Sequence, residues 1–96
     1  MKLVMIAYRF EYNEQVERIL SEHGVENFIR HPQTDGAERE GKHYGSKVHP
    51  GRMAQVWAQV ADDDLDALMD ALNEFRRSQQ AREHLTALVL GVEREL

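Results

Sequence analysis

A chain of 96 residues has room for one hydrophobic core and too little for two, so residues 1–96 are read as a single domain. With 42% hydrophobic and 30% charged residues it is globular in composition, and its formal charge of −5 argues against nucleic acid as a partner. No stretch reaches the roughly 18 apolar residues of a membrane span and no basic-then-apolar leader opens the chain, so the expectation is a cytoplasmic protein without direct membrane insertion.

Residues 2–8 form an apolar run too short for a helix and rich in β-compatible side chains, which predicts a central strand apolar on both faces. Tyr12, Val16, Ile19, Leu20 and His23 then fall on one helical stripe. Asn13 is the expected N-cap and Gly24 the left-handed residue that stops this first helix, placed at about 13–23. Residues 25–31 alternate as a second strand, ended by Pro32, which has no N–H to give to a ladder. From 32 to 52 no period is visible, and a long loop is expected there. A third strand at 53–60 sets Ala54, Val56, Ala58 and Val60 against Met53, Gln55, Trp57 and Gln59.

Asp62, Asp63 and Asp64 suit a helix start, and Leu65, Leu68, Met69, Leu72 and Phe75 continue at helical spacing to Ser78 or Gln79. Arg76, Arg77 and Arg82 lie in or just after the last turn, where cations favour the negative end of the helix dipole. A fourth strand at 84–92 is again apolar on both faces. The order β-α-β-β-α-β predicts an α+β, ferredoxin-like fold, a four-stranded antiparallel sheet with two helices on one face. Helices cover only one face of such a sheet. The second apolar face therefore predicts an oligomer.

The long loop concentrates the candidate chemistry. His43 and His49 stand six apart among glycines and a proline, and as neutral imidazoles they suit a divalent transition metal such as copper, zinc or nickel. Because the chain has no cysteine, further ligands would be His31, a carboxylate or a second copy of the chain. The more ordinary reading of the same histidines is solvent exposure or hydrogen bonding within the loop. Lys42, Lys47 and Arg52, with the main chain at Gly45, offer an alternative site for a phosphate or carboxylate, since glycine lets the backbone approach an anion closely. Tyr8, Tyr12, Tyr44 and Trp57 are read as packing or interface residues.

The Lys2-Leu3-Val4 opening, the Arg9-Phe10 turn, the long loop and the closing Leu90-Gly91-Val92-Glu93 together resemble the trimeric P-II signal-transduction superfamily, including its P-II-like and CutA-type members. The segment from His43 to Gly51 is similar to that of a short-loop P-II-like subgroup. The resemblance implies a homotrimer packed around a central axis, with ligand clefts between subunits and a loop that docks on a membrane transporter or another regulated protein. It implies a non-catalytic regulator that binds a small effector or metal near residues 41–52. Two departures argue against an adenine nucleotide: Gln79 to His84 contains no glycine where P-II proteins have a glycine-rich phosphate loop, and Glu93, Arg94 and Glu95 replace the paired arginines after the last strand. Tyr44 is not carried over as a modified residue. The alternative reading is a small dimeric α/β-barrel enzyme with a loop histidine as general base.

Overall fold

The computed structural model describes residues 1–34, 36–38, 41–43, 53–78 and 84–96. Strand β1 (Lys2–Arg9) lies inside a four-stranded antiparallel sheet; it turns through a short 3-10 segment, Phe10–Tyr12, into helix α1 (Asn13–Glu22). β2 (Phe28–Thr34), the short strands β3 (Gly36–Glu38) and β4 (Gly41–His43), β5 (Met53–Val60), α2 (Asp62–Ser78) and β6 (Leu85–Gly91) follow. The sheet order is β2-β5-β1-β6, every pair antiparallel. This is the ferredoxin-like arrangement expected.

The core lies between sheet and helices. Val4, Ile6 and Tyr8 of β1 meet Ala54, Val56, Ala58 and Val60 of β5, and α1 and α2 seal them with Val16, Leu20, Leu68 and Leu72. Alternation explains this, because successive strand residues point to opposite faces and only every second one can reach the helices. Each helix buries one narrow stripe and leaves its charged face to water.

Three local expectations are corrected. Asn13 does not cap α1: Tyr12 holds that position, without a side-chain cap, and the Asn13 amide oxygen instead accepts a hydrogen bond from the Tyr8 hydroxyl at 2.8 Å. The second strand begins at Phe28 rather than 25, although the Gln59 N–H still donates to the Asn27 carbonyl at 3.0 Å. It also runs past Pro32 to Thr34, with an irregular register between His31 and Thr34. A proline is tolerable there because β2 is an edge strand, which has one unpaired side. Inside the expected aperiodic loop, β3 and β4 pair with each other, Gly36 opposite His43 and Glu38 opposite Gly41. Gly24 does end α1 as expected, at φ +75°.

The sheet face away from the helices carries rows of side chains that run across the strands. Ile29, Trp57, Met5 and Leu88 are register neighbours, and Gln59, Leu3 and Leu90 form the next row. Ile29 is 65% exposed and Leu88 53%. The expectation of an apolar second face on the first and last strands is thus met by real exposed area.

Leu68 is fully buried at the centre of the helix layer. Its replacement by Ala should lower unfolding stability by about 2–5 kcal/mol in urea titrations at fixed protein concentration. Exposed Leu88→Ala should cost far less, and equal costs would contradict the assigned faces.

Candidate functional site

At one end of the sheet β1 and β2 finish and β5 and β6 begin. Arg9, the last residue of β1, is the register partner of Met53 at the start of β5, and Met53 also pairs with Thr34 at the end of β2. On the other side the Arg9 N–H donates to the His84 carbonyl at 3.1 Å, just before β6 begins. The roots of the 35–52 region and of the 79–83 connection therefore flank Arg9. This follows from topology: an antiparallel sheet of this order returns both connections to the same end of β1.

Arg9 has an unusual electrostatic setting. Its Nε is withdrawn from water and makes no hydrogen bond among the described residues. The Glu11 carboxylate stands 3.2 Å away as an ion-pair contact, off the direction in which the N–H points. A guanidinium with an unsatisfied buried donor favours a planar anion, to which it can present two parallel N–H groups. Next to it, on the open sheet face, the register row His31, Gln55, Ala7 and Thr86 is more polar than the rows beyond. The Trp57 indole N–H donates to the Gln55 amide oxygen at 2.5 Å, which joins this row to the apolar one.

Behind Arg9, on the helix side, Tyr8 is fully buried and its hydroxyl is held by Asn13. Burial pushes its phenol up to about 12, an effect opposed by the nearby Arg30 charge and reinforced by Glu17. Arg30 and Glu17 are themselves paired, tying β2 to α1. A shallow cleft of about 370 Å³ opens at the opposite end of the sheet, between Leu3, Glu26, Phe28, Ile29, Trp57 and Gln59.

Of the residues singled out in the loop, Lys42 and His43 lie on β4, paired with Ala37 and Gly36. Gly45, Lys47, His49 and Arg52 lie outside the described residues, as does the 79–83 segment. His31 is on β2 opposite Gln55, in the other sheet from His43. Among the described residues no group of three or more His, Cys, Asp or Glu could hold a metal ion. The described residues therefore lend the expected transition metal no support, and His49, the second imidazole of the expected pair, lies outside them. Arg9 escaped the sequence reading as a site residue; its one signal was a lone cation ending an apolar strand.

No family model matches the chain, and no curated protein matches it. Solved structures do. CPII, a nitrogen-regulatory PII-like protein from Thiomonas intermedia K12, solved with ADP, AMP and bicarbonate, superposes with a TM-score of 0.72 at 16% identity, covering 97% of this chain and 88% of its own. A PII-like signalling protein from Thermus thermophilus gives 0.66 at 13% identity, with 95% and 85% covered. A DUF3240 family protein from Shewanella baltica gives 0.73 at 12% identity, with 99% and 92% covered. The fold is that of PII-like proteins. The expectation against an adenine nucleotide is corrected by the same finding, since a protein of this fold was solved with ADP and AMP.

Because the raised phenol is favoured in its neutral form, Tyr8 contributes stability that is fully present below its unfolded value of 10 and is lost as pH rises through about 12. Denaturation curves collected from pH 10 upward should fall more steeply for the native chain than for Tyr8→Phe. Parallel curves would show that the phenol does not titrate in the fold as described.

Proposed function

We propose that this chain is a non-catalytic PII-like regulatory protein, in which an adenine nucleotide together with a small carboxylate-class anion binds at the Arg9 end of the sheet. Three copies pack their open sheet faces around a common axis, burying the Ile29-Trp57-Met5-Leu88 row, and the ligand lies where one subunit's loop roots meet the next subunit. Lys42, Lys47, Arg52 and the main chain at Gly45 belong to the loop that responds, and the partner it contacts is a transporter or another regulated protein. Such a loop acts as a switch only if the ligand binds one of its states better than the other.

The observation that carries this reading is the place of Arg9 between the roots of both connecting segments, its buried Nε in ion-pair contact with Glu11 but without a hydrogen bond among the described residues. A guanidinium with a buried N–H that makes no hydrogen bond among the described residues fits an anion that competes with Glu11 for it, and its place in the sheet lets an occupant bear on the 35–52 and 79–83 regions together. The likeness to CPII, which was solved with ADP, AMP and bicarbonate, supports the choice of ligand. The exposed apolar rows support the assembly, since a face of that kind is costly to leave in water.

Calorimetric titration with ADP and AMP, with and without bicarbonate, tests the ligand, and light scattering in the same samples tests the assembly. The native chain should bind ADP as a trimer, and bicarbonate should tighten that binding. Arg9→Gln should retain the trimer while weakening the bicarbonate effect by about tenfold or more. Met5→Asp combined with Leu88→Asp should give monomers. No heat from either nucleotide up to about 1 mM would overturn the ligand, and a monomeric or dimeric native chain would overturn the assembly.

A further inference from the structure

The outer, helical layer of the molecule differs in charge from everything else in the chain. Residues 10–22 and 62–78 carry ten carboxylates and three arginines, a net charge of −7 within a chain of −5. The remaining residues are therefore net positive. This concentration alone would be an ordinary solvated surface.

A trough between the helices gives the charge a shape. Gln15, Arg18, Ile19 and Glu22 of α1 face Ala71, Glu74, Phe75 and Ser78 of α2 across a space of about 510 Å³. Both sets run i, i+3, i+4, i+7, the spacing by which a helix presents one stripe to a neighbouring helix. Each stripe spans roughly 10 Å, two turns of helix. Ile19 and Phe75 are partly buried against the core and make an apolar floor. The Phe75 ring is fixed edge-on against Tyr12, with centroids 5.5 Å apart. On the rim, Glu22 and Glu74 form no ion pair among the described residues. Gln15 Oε1, in the wall, is withdrawn from water and accepts no hydrogen bond. The trough thus offers an apolar floor flanked by two carboxylates without ion pairs among the described residues, which together want an apolar side chain flanked by cationic N–H donors.

We propose that the α1–α2 trough is a docking site for a short, basic amphipathic helix of a partner protein. Its apolar residues lie on Ile19, Ala71 and Phe75, and its lysines or arginines reach Glu22 and Glu74. Charge complementarity selects this occupant: an acidic helix would meet two carboxylates already lacking partners, and Arg18 alone does not compensate for both. The site lies on the face opposite the open sheet, so a partner held there does not compete with packing of the sheet faces.

The test uses the full chain and a 14-residue helical peptide of leucine and lysine in amphipathic order, with a peptide of the same composition in scrambled order as control. The expected result is saturable binding of the amphipathic peptide, at least about tenfold tighter than the scrambled one, with NMR shifts concentrated at Ile19, Ala71 and Phe75. The doubly reversed variant Glu22→Lys, Glu74→Lys should lose that preference while keeping its circular dichroism and melting transition. Equal binding of the two peptides, shifts spread over the whole acidic layer, or unchanged affinity in the reversed variant would each overturn the proposal. Concentration-dependent association of the native chain, abolished by the same variant, would show that a second copy occupies the trough and would overturn it as well.

Discussion

Strand β1 must satisfy two faces and two edges at once, and the rest of the molecule is arranged around that demand. Its edges are taken by β5 and β6. Its helix-facing residues, Val4, Ile6 and Tyr8, are completely removed from water, while Leu3, Met5 and Ala7 on the other side are only half-buried. A strand of this kind fixes the sheet order, because only a strand inside the sheet can use both its edges, and it sets the helices on one side. It also leaves an apolar second side.

The same strand ends in Arg9, and there architecture passes into chemistry. Antiparallel pairing on both sides of Arg9 delivers the start of β5 and the approach to β6 to one spot. The roots of both connecting segments thus sit on the strand paired along both of its edges. A site built there has a rigid base, as binding sites need. Behind it, the Tyr8–Asn13 hydrogen bond and the Arg30–Glu17 pair fasten the start of α1 and the edge strand β2 to the same end of the core.

Much of the fold was legible in the sequence because burial imposes a period. β5 and α2 begin where their patterns place them, since Val56 and Leu68 stand at the centres of unbroken apolar alternation and an unbroken helical stripe. β2 was less legible: its start depends on a main-chain bond at Asn27, and its passage through Pro32 depends on its being an edge strand, which no local pattern reveals. The β3–β4 pair has no apolar alternation at all, only glycines at both ends of a charged segment. Asn13 was misread because the same amide oxygen that suits a cap also suits a buried hydroxyl, and Tyr8 lies nearby only in the folded chain. The site was less legible still. The loop composition drew attention to His43 and His49, whereas Arg9 owes its interest to Met53 and His84, which are distant in sequence and become its neighbours through strand pairing.

The account stands on ligand binding at the Arg9 end of the sheet, and hydrogen–deuterium exchange with and without ADP reads that location directly. Bound nucleotide should slow exchange at residues 9–12, at the beginning of β5 and at residues 84–86, leaving the middle of α2 unchanged. Protection confined to the helices or to the far end of the sheet, under conditions where ADP binds, would contradict the placement of the site.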